Sequence, residues 1–212
     1  MKTHDLIEVL AKDRAIRSPR PRSAIALAVI AGAVAAGIVF TLTLHPRPDI
    51  MQAAGTYRFL LKVALALTLA ASAISLAVHF FRPEPISRRR LFPIAVAPAM
   101  LVAAAIVELI VTPEATWMPG MIGIKPVFCV VMMLVLSIGP LLALLTALRY
   151  GAPSNPGLAG ALAGLASGAI SAAVFVIHCP NDSPLFVMTW YSLAIGLVTL
   201  AGYFAGRRWL AW

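Results

Sequence analysis

Six apolar stretches, each close to 20 residues long and separated by short polar segments, dominate this 212-residue chain. They run Ala24–Leu44, Phe59–Phe81, Pro93–Val111, Lys125–Leu148, Gly157–Ile177 and Leu185–Ala205. At about 1.5 Å per helical residue, ~20 residues match the ~30 Å hydrocarbon core of a bilayer. Backbone polar groups find no water there, so a spanning segment must be a helix or part of a closed barrel, and blocks this long are helical. The chain reads as an all-α, polytopic membrane protein, with six transmembrane helices in a compact bundle. Charged residues make up 12% of the chain, about half the fraction usual in a soluble domain. The first block is too long for the apolar part of a signal peptide, about 7–15 residues, and is expected to remain. No internal repeat is evident, which disfavours an inverted-repeat transporter.

Cations set the orientation. Lys2, Lys12, Arg14, Arg17, Arg20 and Arg22 precede the first block, Arg82 and Arg88 to Arg90 follow the second, Arg149 follows the fourth, and Arg207 and Arg208 end the chain. Placing all of these on one side puts both termini in the cytoplasm and the turn after the fifth block outside. This asymmetry accounts for most of the +9 net charge, so no direct nucleic-acid partner is called for. The expected organisation is a cytoplasmic tail over 1–23, a membrane domain over 24–206 and a short basic end over 207–212. Tyr57, Trp117, Tyr150, Trp209 and Trp212 fall near block ends, where interfacial aromatics belong. Gly160, Gly164 and Gly168, with Ser167 and Ser171, and likewise Ala28, Gly32 and Ala36, form small-residue stripes that let helix backbones approach within lipid.

Ionisable groups inside the blocks are few, and such groups usually pair. Glu108 is expected to pair with Lys125 or Lys62, fixing helix register. The remaining chemistry lies in two cysteines. Cys129 stands one turn into the fourth block, four residues after Lys125, where a cation and a helix N-terminus favour the thiolate. Cys179 lies in His178-Cys179-Pro180-Asn181-Asp182-Ser183-Pro184, a polar turn in which Ser183-Pro184 starts the last helix. Its place at a helix C-terminus disfavours the thiolate, with His178 and the loop available to compensate. Both thiols fall on the oxidising side. The residues alone allow apolar packing, a redox pair or a soft-metal site with His178, and the metal is unspecified. Without a Cys-x-x-Cys pair, a disulfide-generating oxidase is disfavoured.

The N-terminal Asp5, Leu6, Ile7, Leu10 and Asp13 read as a short amphipathic helix with Leu6, Ile7 and Leu10 on one face. A helix this short is marginal alone and wants a surface, either lipid headgroups or a groove on a protein.

The opening Met-Lys-Thr-x-Asp-Leu-Ile-x-x-Leu-Ala-x-Asp, the six blocks, Cys129 and the His178-Cys179-Pro180-x-Asp182-Ser183-Pro184 turn together resemble the NrsF family, over nearly the whole chain. The resemblance implies an inner-membrane, multi-pass anti-sigma factor of bacteria with no enzymatic activity and no cofactor. Its implied partner is an extracytoplasmic-function sigma factor held by the tail through Asp5, Leu6, Ile7, Leu10 and Asp13. It further implies that Cys129 and Cys179, with His178 and Asp182 beside them, sense metal or oxidative stress and trigger release. The alternative from the residues is a small cation or metal transporter using Glu108, His178 and Cys179.

Overall fold

In a computed structural model, which describes residues 21–80, 88–151 and 153–211, the described chain is helical and without strands. The tail residues Asp5, Leu6, Ile7, Leu10 and Asp13, and Arg82 and Trp212, lie outside the described residues. We number the helices α1 (Pro21–Thr43), α2 (Ile50–Ala53), α3 (Tyr57–Phe80), α4 (Arg88–Val111), α5 (Trp117–Ile122), α6 (Pro126–Arg149) and α7 (Pro156–Phe175). The last, α8 (Pro184–Trp209), contains a π-helical turn at Val187–Tyr191. Six of these are long and apolar enough to cross a membrane: α1, α3, α4, α6, α7 and α8. All six expected spans are present, their ends displaced by a few residues.

Local chemistry explains the boundaries. Pro126, Pro156 and Pro184 each occupy the first turn of a helix, where the missing N–H has no intrahelical acceptor to lose. The side chains of Asn155 and Ser183 cap α7 and α8 by accepting the Leu158 and Leu185 amides. The turn-rich segment after α4 forms a 3-10 turn at Glu114–Thr116 and the short α5. Trp117 secures it by donating its Nε1–H to the Thr112 carbonyl, 3.1 Å away.

Helix α7 is the most enclosed of the six and α4 the least. The small residues of α7 explain why. A Cβ built on Gly160 would lie 2.7 Å from Gly206 Cα, and one on Gly164 would lie 2.8 Å from Thr199 Cα, so α7 and α8 meet backbone against backbone. Gly32 of α1 abuts Pro140 of α6 in the same way, at 2.6 Å. The small-residue stripes are therefore used within one chain. The core divides into two main clusters. One, at the end carrying the 178–184 turn, holds Phe40, Phe59, Met133, Phe175, Phe186 and both cysteines. The other, at the opposite end, holds Ile25, Ala73, Leu144, Leu148, Ala163 and Leu210. Large apolar side chains cover the outside of the bundle, as Leu27, Ile30, Val34 and Ile38 do along α1 and Ile106, Val107 and Ile110 along α4. Such a surface suits hydrocarbon and would aggregate in water.

Candidate functional site

The turn after α7 draws four helices together. Its amides fold back on the last helical turn, those of His178 and Cys179 both donating to the Phe175 carbonyl at 3.0 and 3.1 Å. This buries Cys179 completely, and Cys129 from α6 is 4% exposed beside it. The two sulfurs are 4.0 Å apart, and both are free thiols. Cys129 reaches this point because Lys125, in the left-handed region at φ 50, redirects the chain immediately before Pro126. A following proline disfavours the right-handed helical region for Lys125, so α6 begins abruptly there. Gly123 (φ 59) prepares the same bend, and a Cβ on it would strike the Phe186 ring at 2.6 Å. The Asn181 side chain then pins this loop to the turn, donating to the Ile124 carbonyl at 3.0 Å and accepting its amide at 3.1 Å.

A cluster of buried charge holds the turn. Asp182 accepts from Arg47 Nη1 at 2.6 Å and from Lys62 Nζ at 3.2 Å. Arg47 also forks onto Asp49, with Nε–Oδ1 at 2.8 Å and Nη2–Oδ2 at 2.7 Å. Lys62, only 2% exposed, spends its remaining donors on the Cys179 and Asn181 carbonyls at 3.2 and 2.8 Å. Two enclosed cations thus face two carboxylates, Asp182 largely enclosed with them and Asp49 half exposed at the edge. The Asp49 carboxyl is lowered below its ordinary value by its hydrogen bond from Arg47. The Cys179 thiol is also lowered, first by its hydrogen bond with Cys129 and then by the Lys62 charge. The compensation for the helix C-terminus comes from Cys129 on α6 and from Lys62, which reaches the turn from α3.

The expected Glu108–Lys125 or Glu108–Lys62 pair does not form. Glu108 instead meets Arg58 Nη2 at 3.3 Å and accepts from Ser183 Oγ at 2.8 Å and the Leu185 amide at 3.3 Å. Arg58 and Lys62 share a face of α3, one turn apart. The carbonyls of the turn and Asp182 engage the inner cation, Lys62, which leaves the outer one, Arg58, to Glu108. The Glu108 carboxylate lies at the N-terminus of α8, where the helix dipole favours an anion. Lys125 is exposed and, with Arg47, His178, Phe128 and both cysteines, lines a cavity of about 550 Å³. His178 is held by a hydrogen bond between its Nδ1 and the His45 carbonyl at 2.7 Å, its ring tilted between Phe128 and Phe175.

Among the sensing candidates, the structure brings Cys129, Cys179 and Asp182 into one network and places His178 at its edge. Sequence reasoning missed Arg47, Asp49 and Tyr191. The first two stood in what read as an ordinary loop, although Arg47-Pro48-Asp49 is a charged pair in a chain with little charge. Tyr191, in the last span, has its ring centre 5.2 Å from Lys62 Nζ. Chemically, the site is a buried dithiol; closing it to a disulfide needs the sulfurs about 2 Å nearer, at the S–S bond length of ~2.05 Å, and an external oxidant to take the two electrons while both thiol protons leave.

No solved structure matches the chain. It is 35% identical to the anti-sigma-F factor NrsF of Caulobacter vibrioides, over the full length of both proteins. It is 31% identical to the probable anti-sigma-F factor NrsF of Azospira oryzae, again over both full lengths. The family described as NrsF, negative regulator of sigma F, matches residues 10–212. With six membrane-length helices and full-length agreement with these regulators, the chain belongs to the NrsF family of anti-sigma-F factors.

Proposed function

We propose that this protein holds an extracytoplasmic-function sigma factor at the bacterial inner membrane and releases it when Cys129 and Cys179 change state. The observation that carries the reading is the buried 4.0 Å thiol pair, clamped by Asp182, Arg47 and Lys62 at the junction of four helices. A bond or a soft metal between those sulfurs would act directly on the positions of α6 and α7. Both termini lie in the cytoplasm and the dithiol faces outward, as the cation distribution supports. The sigma factor docks on Leu6, Ile7 and Leu10, flanked by Asp5 and Asp13, while the membrane domain acts as receiver. Such a switch needs little energy, since about 1.4 kcal/mol of differential stability changes a two-state ratio tenfold. The function is regulatory, without catalytic turnover.

The test is a pull-down of the cognate sigma factor by detergent-solubilised full-length protein and by a form lacking residues 2–13. Retention by the full-length form alone is expected; retention by both moves the contact away from the tail. Repeating the assay with Cys129→Ser/Cys179→Ser after diamide or cadmium treatment tests the thiols. Release from the double variant equal to that from wild type would refute thiol-gated sensing.

A further inference from the structure

Tyr191 is 3% exposed, and its Oη has no hydrogen-bond partner, unlike any other buried side-chain nitrogen or oxygen among the described residues. Leaving a buried hydroxyl unpaired is costly, so such a group calls for an explanation. Its surroundings supply one. The ring packs on Phe175 and Phe186, with centroids 6.2 and 6.3 Å away, and Lys62 Nζ is 5.2 Å from its centre. The hydroxyl is enclosed against the Cys179 thiol, without the geometry of a hydrogen bond. A thiol sulfur is a weak acceptor, whereas a thiolate carries a full charge and accepts strongly. The hydroxyl is therefore idle while Cys179 is protonated and gains a partner when the proton leaves. The π-helical turn at Val187–Tyr191 ends at this tyrosine, and such turns are frequent at functional positions.

The rest of the cluster sets the two sulfurs apart. The donors of Lys62 are taken by the Cys179 and Asn181 carbonyls and by Asp182, so its charge reaches Cys179 but its protons do not. Arg47 is likewise held by Asp49 and Asp182. The Tyr191 hydroxyl is the donor left over. The Cys179 thiol donates to the Asn181 carbonyl at 3.9 Å, so lone pairs of its sulfur remain for a donor. The lowering of that thiol, due first to Cys129 and then to the Lys62 charge, includes a contribution from the Tyr191 hydroxyl. Reagents have a way in. Both sulfurs line the cavity of about 550 Å³, whose walls also include the exposed His45, Asp49, Lys125 and Pro180, so a small electrophile can pass from the surface to the pair.

We infer that Cys179 is the attacking sulfur of the pair, that Cys129 closes the bridge, and that Tyr191 is the positioning residue whose hydroxyl holds the Cys179 thiolate. With a small external disulfide as the oxidant, Cys179 gives its proton to solvent and its sulfur attacks one sulfur of the reagent. A mixed disulfide forms, the reagent S–S bond breaks, and the first reagent thiolate leaves with the electron pair. Cys129, deprotonated in turn, attacks the Cys179 sulfur 4.0 Å away. The protein bridge forms and the second reagent thiolate departs. Two protein thiols are oxidised, one external disulfide is reduced, and the two protons end on the two released thiols. The inference rests on the thiol-gated reading above, to which it adds the order of the sulfurs and the residue that sets it.

The test uses the reduced full-length protein in nanodiscs, with 4,4′-dithiodipyridine as the probe and the absorbance of released thiopyridone as the readout. Cys129→Ser leaves only Cys179 to react, and Cys179→Ser leaves only Cys129. At neutral pH Cys179 should react faster than Cys129, and its pH–rate profile should have its midpoint below the ordinary thiol value of 9.0. Tyr191→Phe, made in the Cys129→Ser background, should raise that midpoint by about one pH unit, the usual effect of losing a hydrogen bond to a charged group. On the acidic side the rate should fall about threefold, because the tenfold loss of thiolate is partly offset by the greater nucleophilicity of a more basic sulfur. Lys62 from α3, Cys129 from α6, and Asp182, Arg47 and His178 around the turn are the other charged or titratable groups near this sulfur, and only Tyr191 differs within the pair compared. Phenylalanine keeps the ring and removes only an unpaired hydroxyl, so the melting temperature of the reduced protein should not fall. A faster Cys129 overturns the order of the sulfurs; an unmoved Cys179 midpoint in Tyr191→Phe, or a lowered melting temperature without a shift, overturns the role of the tyrosine. Sigma-factor release is measured separately on wild type after the bridge has closed. A closed bridge without release refutes thiol gating and leaves the order of the sulfurs standing on its own rates.

Discussion

Replacing Asp182 with Asn isolates the clamp that keeps the thiol turn shut. The carboxylate joins Arg47 at 2.6 Å and Lys62 at 3.2 Å, and the side chains of those cations are 7% and 1% exposed. Removing one member of a buried ion pair costs about 3–5 kcal/mol, because the other charge stays buried without compensation. Here each cation keeps part of its coordination. Arg47 retains Asp49, and Lys62 retains two carbonyls. The lower figure, about 3 kcal/mol, is therefore the appropriate one. The loss falls on the local opening of the turn more than on the bundle, whose helices keep their packing. An opening made easier by about 3 kcal/mol exposes Cys179 about 100 times more often. The assay is the rate of maleimide labelling in nanodiscs, comparing Asp182→Asn with its parent in a Cys129→Ser background so that one thiol reports. Acceleration below about threefold would refute the clamp.

The glycine seam predicts opposite results at two positions. Gly202→Ala places a Cβ 2.9 Å from Gly164 Cα and should cost about 3 kcal/mol of thermal stability. Gly37→Ala, with nothing within 4 Å, should be neutral or stabilising by up to about 1 kcal/mol in the same melts. For pH, Cys179 has a folded value below that of the unfolded thiol, 9.0. Its contribution is therefore complete above pH 9 and is lost as pH falls toward about 5, so wild type should lose more stability than Cys179→Ser across that interval. Equal slopes would remove the thiolate from the account. Glu108→Ala deprives Ser183 and the Leu185 amide of an acceptor and should lower stability by about 1–2 kcal/mol. Glu108→Gln, whose amide oxygen still accepts, should cost less than half of that, since Arg58 is 38% exposed and the ion pair is correspondingly weak.

The membrane architecture was legible because bilayer physics is one-dimensional. Length and apolarity decide a span without reference to any other part of the chain, and proline and asparagine mark where it starts. The meeting of Cys129 and Cys179 was foreshadowed because both fall at the same end of neighbouring spans. Pairing of the charges was not legible. Glu108, Lys62 and Lys125 appeared level with one another, but level fixes height and leaves rotation about the helix axis free. Which cation turned inward depended on the carbonyls of a turn whose conformation no spacing specifies. Arg47 escaped notice for a related reason. Its partner Asp182 is 135 residues away, and a single arginine in a loop carries no periodicity. The apolar cavity of about 650 Å³ that Tyr191 helps line is a gap between α3, α4, α7 and α8. A gap has no sequence of its own.

The seam between α7 and α8 has a mechanical consequence. Side chains usually absorb displacement between helices by changing rotamer, so a shove at one end dies out within a few residues. Gly160, Gly164, Gly202 and Gly206 have no rotamers to change. The two helices are therefore coupled as a single stiff beam about 30 Å long. A sub-ångström strain where Cys179 meets Cys129 would reach the far end as a joint displacement of both helices, Gly157 carried along with the Tyr203 and Arg207 side chains it packs against.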